Sequence, residues 1–162
     1  MRARWQRWGG AVAAVLLLAA PALARDSLGV FEDWAVFRDP ATPRCYAIAE
    51  PESAGLRGGY ITIGYWPRAR QRGQIFFRLP RAAGNGSATL TLDGQRFTLL
   101  QRGAGAWAQN QRMDAAILAS IRSATAMTLA VREGRGASYS ATWRLRGAAT
   151  AIDAAALGCA GR

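Results

Sequence analysis

Residues 88–100 read ATLTLDGQRFTLL, and the Asp93-Gly94 pair at their centre constrains the fold more than any other feature. Two alternating segments joined by two residues, the second a glycine, predict a β-hairpin closed by a type I′ turn. Both central positions of that turn need positive φ, which glycine reaches without steric cost. The turn sets the register: Leu92 faces Gln95, Leu90 faces Phe97, and Ala88 faces Leu99. Apolar side chains then fall on one face, with Thr89, Thr91, Arg96 and Thr98 on the other. Turn chemistry and hydrophobic pattern agree, which points to antiparallel sheet.

The same alternation recurs along the chain. Strands are predicted over 34–38 (WAVFR), 45–49 (CYAIA), 60–66 (YITIGYW), 74–79 (QIFFRL), 127–132 and 139–145. Asp39-Pro40, Thr42-Pro43, Pro67 and Pro80 punctuate them. Residues 68–73 (RARQRG) and 103–110 (GAGAWAQN) read as connections. Residues 114–123 break the pattern: Asp114 is a good N-cap, and Ile117, Leu118 and Ile121 recur at helical spacing. A second helix is predicted over 148–157, rich in alanine, with Gly158 placed to end it. About seven strands with one or two short helices predict a mainly β fold, an antiparallel sandwich or a partly closed barrel.

The N-terminus carries a different signal. Arg2, Arg4 and Arg7 precede the apolar run 11–20 (AVAAVLLLAA), and Ala22-Leu23-Ala24 offers a small-x-small cleavage site. That order predicts a secretory signal peptide over 1–24 and a single domain over 25–162, periplasmic or secreted. The rival reading is a buried N-terminal helix. Ten apolar residues are too few to span a bilayer, so no transmembrane segment is expected in the mature chain. No cysteine stands at the cut, which argues against a lipid anchor, and Arg2 and Arg4 are not adjacent, which argues against a twin-arginine signal. Cys45 and Cys159 are the only cysteines. An even count in an exported chain predicts a disulfide between them, with buried free thiols or one reactive cysteine as rivals. Neither belongs to a C-x-x-C pair, so nothing supports redox catalysis.

Composition narrows the chemistry. The chain has no histidine, which removes Ser-His-Asp and Cys-His catalysis and ordinary zinc hydrolysis. Its ten acidic residues form no spaced pair suited to glycoside cleavage. An enzyme is therefore not expected, nor a metal or other cofactor. All 21 basic residues are arginine, and loss of the three in the leader lowers the formal charge from +11 to +8. Their scatter along the chain is most simply a compositional bias, but the field still favours anionic partners within about 10 Å at ordinary salt. An anionic envelope component or a protein partner is expected, and nucleic acid is not, since no binding motif for it appears.

The best candidate binding residues are Arg68, Arg70 and Arg72 with Trp66 beside them. If that stretch were extended, arginines at alternate positions would share a face, and arginine beside an aromatic is a common hot-spot composition. The competing reading is a solvated hairpin tip that keeps a sheet edge soluble. Trp34, Trp107 and Trp143 are expected in the core, since large aromatics dominate small β cores. Trp107, within a glycine-rich connection, joins the candidate binding residues.

The order of these pieces resembles the invasion-associated locus B family of exported bacterial proteins. The resemblance rests on Asp33-Trp34-Ala35-Val36, Cys45 in the next strand, Leu79-Pro80, Leu92-Asp93-Gly94, Ile121-Arg122, the strand over 127–131, and the closing 145–152 (LRGAATAI). It covers most of residues 30–155. The chain departs from the family at Phe37 and over 100–107, where family members carry further cysteines, so Cys159 would replace the usual partner of Cys45. The resemblance implies an immunoglobulin-like β-sandwich, secreted or periplasmic, linked by the family's name to host-cell invasion, with no catalytic residue to carry over. The alternative function is a periplasmic inhibitor of a lysozyme-type hydrolase, suggested by the loop around Gly136-Ala137-Ser138-Tyr139. Common lysozymes are themselves cationic, which weighs against it.

Overall fold

The computed structural model describes residues 25–52, 58–132 and 138–160. The expected leader over 1–24 lies outside them. Five strands follow one another as a meander: β1 (Asp26–Phe31), β2 (Trp34–Asp39), β3 (Arg44–Ala49), β4 (Tyr60–Trp66) and β5 (Gln71–Arg78). A second meander, β6 (Asn85–Leu92), β7 (Gln95–Arg102) and β8 (Gly105–Trp107), runs back until β8 pairs with β5. Helix α1 (Gln111–Ile121) then carries the chain across to β9 (Ala126–Arg132), which pairs with β6, and β10 (Ser138–Arg144) and α2 (Ala148–Gly158) complete it. The sheet order is β1-β2-β3-β4-β5-β8-β7-β6-β9-β10, antiparallel throughout. Placing β9 beside β6, with β7 and β8 beyond, makes a Greek key.

The β6–β7 hairpin has the register its turn dictates, with Leu92 opposite Gln95, Leu90 opposite Phe97 and Ala88 opposite Leu99. Asp93 and Gly94 both take positive φ, 43° and 82°. Ten strands among the described residues replace the expected seven or so. Strand β1 was not legible because a bulge between Ser27 and Gly29 breaks its alternation. Strand β8 is three residues long and sits where a connection was expected.

The two ends of the sheet face each other across one core. Trp143 on β10 packs edge-on against Phe77 on β5, with ring centroids 5.3 Å apart. Its indole N–H donates to the Ala49 carbonyl at 3.2 Å. Trp34 on β2 donates in turn to the Arg144 carbonyl at 3.1 Å. Both tryptophans are buried, as expected of large aromatics in a small β core. Helix α2 lays Ala148, Ala151, Ile152 and Ala155 onto the inner side of this sheet. Its small side chains allow close approach, and the Cys45–Cys159 disulfide fixes its C-terminal end to β3. Gly147, at φ 80°, begins the helix where a Cβ would overlap the Phe31 carbonyl oxygen. No helix among the described residues is long and apolar enough to cross a membrane.

Helix α1 begins one turn earlier than expected, and Asp114 is not its cap. Asn110 is, its side chain accepting the Met113 N–H at 3.0 Å. Asp114 serves a tertiary need instead. Strand β8 covers β5 only from Phe76 to Arg78, and the buried Ile75 N–H beyond it donates to Asp114 Oδ1 at 2.8 Å. Burial pushes the Asp114 carboxyl above the ordinary aspartate range, and the Ile75 hydrogen bond partly opposes the shift.

Candidate functional site

Strand β4 ends at Trp66, and residues 67–70 turn the chain into β5. Pro67 supplies the fixed φ that opens such a turn. The Ala69 and Arg70 N–H groups donate to the Trp66 and Pro67 carbonyls at 3.2 and 3.1 Å. Arg70 takes φ 53°, the left-handed region. The stretch is therefore not extended, and the expectation of three arginines aligned along one strand face is corrected. Arg68 and Arg70 sit in the turn, and Arg72 is the second residue of β5. Just beyond it, Gly73 at φ 68° forms a bulge. The pairing steps from Gly64 opposite Gln74 to Tyr65 opposite Arg72, and a Cβ on Gly73 would overlap Leu118 of α1.

All three arginines are exposed, and none is ion-paired among the described residues. That sets them apart from Arg38, Arg122, Arg144 and Arg146, which pair with Asp26, Asp153, Glu52 and Glu32. The turn presents positive charge that the protein itself leaves unanswered.

Behind the turn lies a groove of about 450 Å³. Tyr65, Pro67, Gln71 and Arg72 form one wall, and Ala156, Leu157, Cys159 and Ala160 from the end of α2 form the other. The geometry follows from the fold. Cys45 is the cross-strand neighbour of Tyr65, so the disulfide that draws α2 onto β3 also sets its last turn beside β4. Leu157 is 74 % exposed at the groove's edge. Burial raises the Tyr65 phenol above its usual pKa, against the pull of the Arg122 guanidinium, so at neutral pH it is an uncharged donor. The groove combines an apolar wall, a phenol and Arg72, with Arg68 and Arg70 on the adjoining turn.

Sequence reasoning found the arginines but missed Tyr65 and Leu157. A signal for Leu157 existed. At 100° per residue it lies about 140° around α2 from buried Ile152, so it is an apolar side chain on the solvent side.

The two candidate tryptophans lie elsewhere. Trp66 pairs with Gln71, one step from the Tyr65–Arg72 pair, and so points to the opposite face of the sheet. Its ring lies over Gly64, where a Cβ would collide with it. Trp107 belongs to β8 and not to a loop; it is half-buried and stacks with Phe76, centroids 6.5 Å apart and planes 17° from parallel. The structure thus separates Trp66 and Trp107 from the groove that Arg72 lines.

A second cavity, about 530 Å³, opens between the β1–β2 turn and the end of β3. Glu32, Asp33, Glu50 and Glu52 line it, along with Arg144. In the connection singled out for the inhibitor reading, Gly136 and Ala137 lie outside the described residues, and Ser138 and Tyr139 begin β10. Among the described residues no cluster of three or more His, Cys, Asp or Glu side chains could hold a metal ion.

No protein-family model, no curated protein and no solved structure matches the chain.

Proposed function

We propose that this is an exported, non-enzymatic envelope protein of the invasion-associated locus B type, an immunoglobulin-like β-sandwich that binds an anionic partner through the groove beside the 67–70 turn. The observation that carries this reading is the unpaired state of Arg68, Arg70 and Arg72 next to a groove with an exposed leucine. Unpaired guanidinium groups recognise phosphate and carboxylate oxygens by forked hydrogen bonds. The apolar wall suits the greasy portion of the same partner. The ligand class is an anionic amphiphile of the envelope or an acidic, partly apolar protein segment. Positive charge on the mature chain brings such a partner to the surface, and the groove orients it.

The test is retention on vesicles containing phosphatidylglycerol. The wild-type chain is expected to bind and to release as salt rises, since screening shortens the reach of exposed charges. The triple variant Arg68→Ser, Arg70→Ser, Arg72→Ser is expected to lose most of that retention. Undiminished retention of the triple variant would defeat the proposal. Asp33 and Glu50 in the second cavity, which no arginine pairs with among the described residues, favour a second reading, a hydrolase inhibitor that complements a cationic enzyme locally. Titrating lysozyme activity with the purified chain tests it, and unimpaired activity rejects it.

A further inference from the structure

The groove and the acid-lined cavity lie at opposite ends of the same strands. Asp33 and Glu50 adjoin Trp34 and Ala49, where β2 starts and β3 stops. The 67–70 turn lies at the other end, past Tyr65, which faces Cys45 near the start of β3. The step from Ala49 to Cys45 alone spans roughly 13 Å, and both charged clusters lie beyond it. Helix α2 runs between the same two ends. It starts after Gly147, which abuts Phe31 and Glu32, and its last turn reaches the groove at Cys159. Its 11 residues cover roughly 16 Å, in agreement with the strands.

Each end joins unanswered charge to one exposed aliphatic side chain. At the turn end Arg68, Arg70 and Arg72 have no ion-pair partner among the described residues, and Leu157 is 74 % exposed. At the cavity end Arg144 and Arg146 answer Glu52 and Glu32. Asp33 and Glu50 have no such partner among the described residues, and Val30 on the cavity wall is 72 % exposed. Leu157 and Val30 are the two most exposed large apolar side chains among the described residues. A cationic turn and an anionic cavity, each with an aliphatic edge, thus complement one another in sign and in apolar contact. The sheet holds them apart within one molecule.

We propose that the acid-lined cavity of one copy receives the 67–70 turn of a second copy, so that the chain associates head to tail. The inference rests on the reading of the groove as a site for an anionic partner, and it identifies that partner's acidic, partly apolar segment as another copy of this chain. Unlike surfaces meet in such a contact, so each copy keeps one free end and growth continues to a ring or an open filament. The chain's net positive charge repels one copy from another. Salt at about 0.15 M limits the reach of that repulsion to about 8 Å, whereas ion pairs enclosed in the cavity are screened much less.

Sedimentation equilibrium of the purified chain at about 0.15 M salt tests the assembly. The weight-average mass is expected to rise with concentration past that of a dimer. Two variants blunt one end each: the triple arginine-to-serine variant, and the double variant Asp33→Asn, Glu50→Gln, which removes two charges at exposed positions and keeps their shape. Each alone should self-associate roughly tenfold more weakly or less still. Mixed in equal amounts, they should form a heterodimer and nothing larger, since each supplies the end the other lacks. A wild type that never exceeds the mass of a dimer, an acid variant that associates like wild type, or a mixture that stays monomeric would each overturn the proposal. Vesicle retention keeps its failure separate from the groove's, because the acid variant should still bind phosphatidylglycerol at least as well as wild type. Retention by a wild type that stays monomeric defeats the assembly alone and gives the groove to lipid. Assembly through both ends without retention upholds it and defeats the lipid ligand.

Discussion

Replacing Asp114 by alanine is expected to destabilise the fold by about 1–3 kcal/mol, the cost of leaving a buried N–H without an acceptor. The structure sets that magnitude. Asp114 is 4 % exposed, its Oδ1 lies 2.8 Å from the Ile75 nitrogen, and β8 begins its pairing one residue too late to supply a substitute. Alanine's better helix propensity returns a few tenths of a kcal/mol, so about 2 kcal/mol is the working figure. For a domain of this size that lowers the thermal midpoint by roughly 6–10 °C. Asp114→Asn keeps an amide oxygen at the same place and removes the charge. The folded-state pKa is raised, so the folded chain holds this proton more tightly than the unfolded one. That contribution is fully present below the ordinary aspartate pKa and is lost as pH rises through the raised folded value. The wild type should therefore lose stability relative to Asp114→Asn as pH climbs from the ordinary aspartate pKa, about 4, through the raised folded-state value. Urea unfolding followed by circular dichroism at several pH values reads both effects. An alanine variant within 0.5 kcal/mol of wild type, or an asparagine variant equally damaged, would refute the assignment of Asp114 to the Ile75 N–H.

Two further predictions concern the scaffold. Cys45→Ser or Cys159→Ser opens a loop spanning 114 residues and should lower stability by roughly 4–5 kcal/mol on the chain-entropy account; denaturant midpoints with and without reductant measure it. Gly147→Ala should destabilise far more than Gly94→Ala, although both glycines have positive φ, because only at Gly147 would a Cβ strike backbone. Gly94→Ala should cost about 1 kcal/mol from conformation alone, and equal thermal midpoints for the two variants would contradict the packing of Phe31 on the start of α2.

What was legible in the sequence followed from local rules that reinforce each other. The Asp93-Gly94 hairpin was readable to the residue because turn chemistry and a two-residue period agree there. The start of α1 was misjudged because Asn110 and Asp114 are both short polar acceptors. Only the unpaired stretch of β5 decides that one caps the helix while the other serves Ile75. The arginines at alternate positions suggested a strand, yet Pro67 and the bulge at Gly73 bend that stretch into a turn. Strand β8 left no periodic trace in three residues of glycine, alanine and tryptophan. The groove was beyond local reading, because its walls come from β4–β5 and the end of α2, which the packing of α2 on the sheet and the Cys45–Cys159 disulfide bring together.

The central claim is that the turn arginines and the groove's apolar edge act together on one anionic partner. A double-mutant cycle on phosphatidylglycerol vesicles measures it directly, using wild type, the triple arginine-to-serine variant, Leu157→Ser and the combination. The account predicts that each change weakens partitioning and that the combined loss falls clearly short of the sum, because both remove parts of one site. Strictly additive losses, or a Leu157→Ser variant that partitions like wild type, would contradict it.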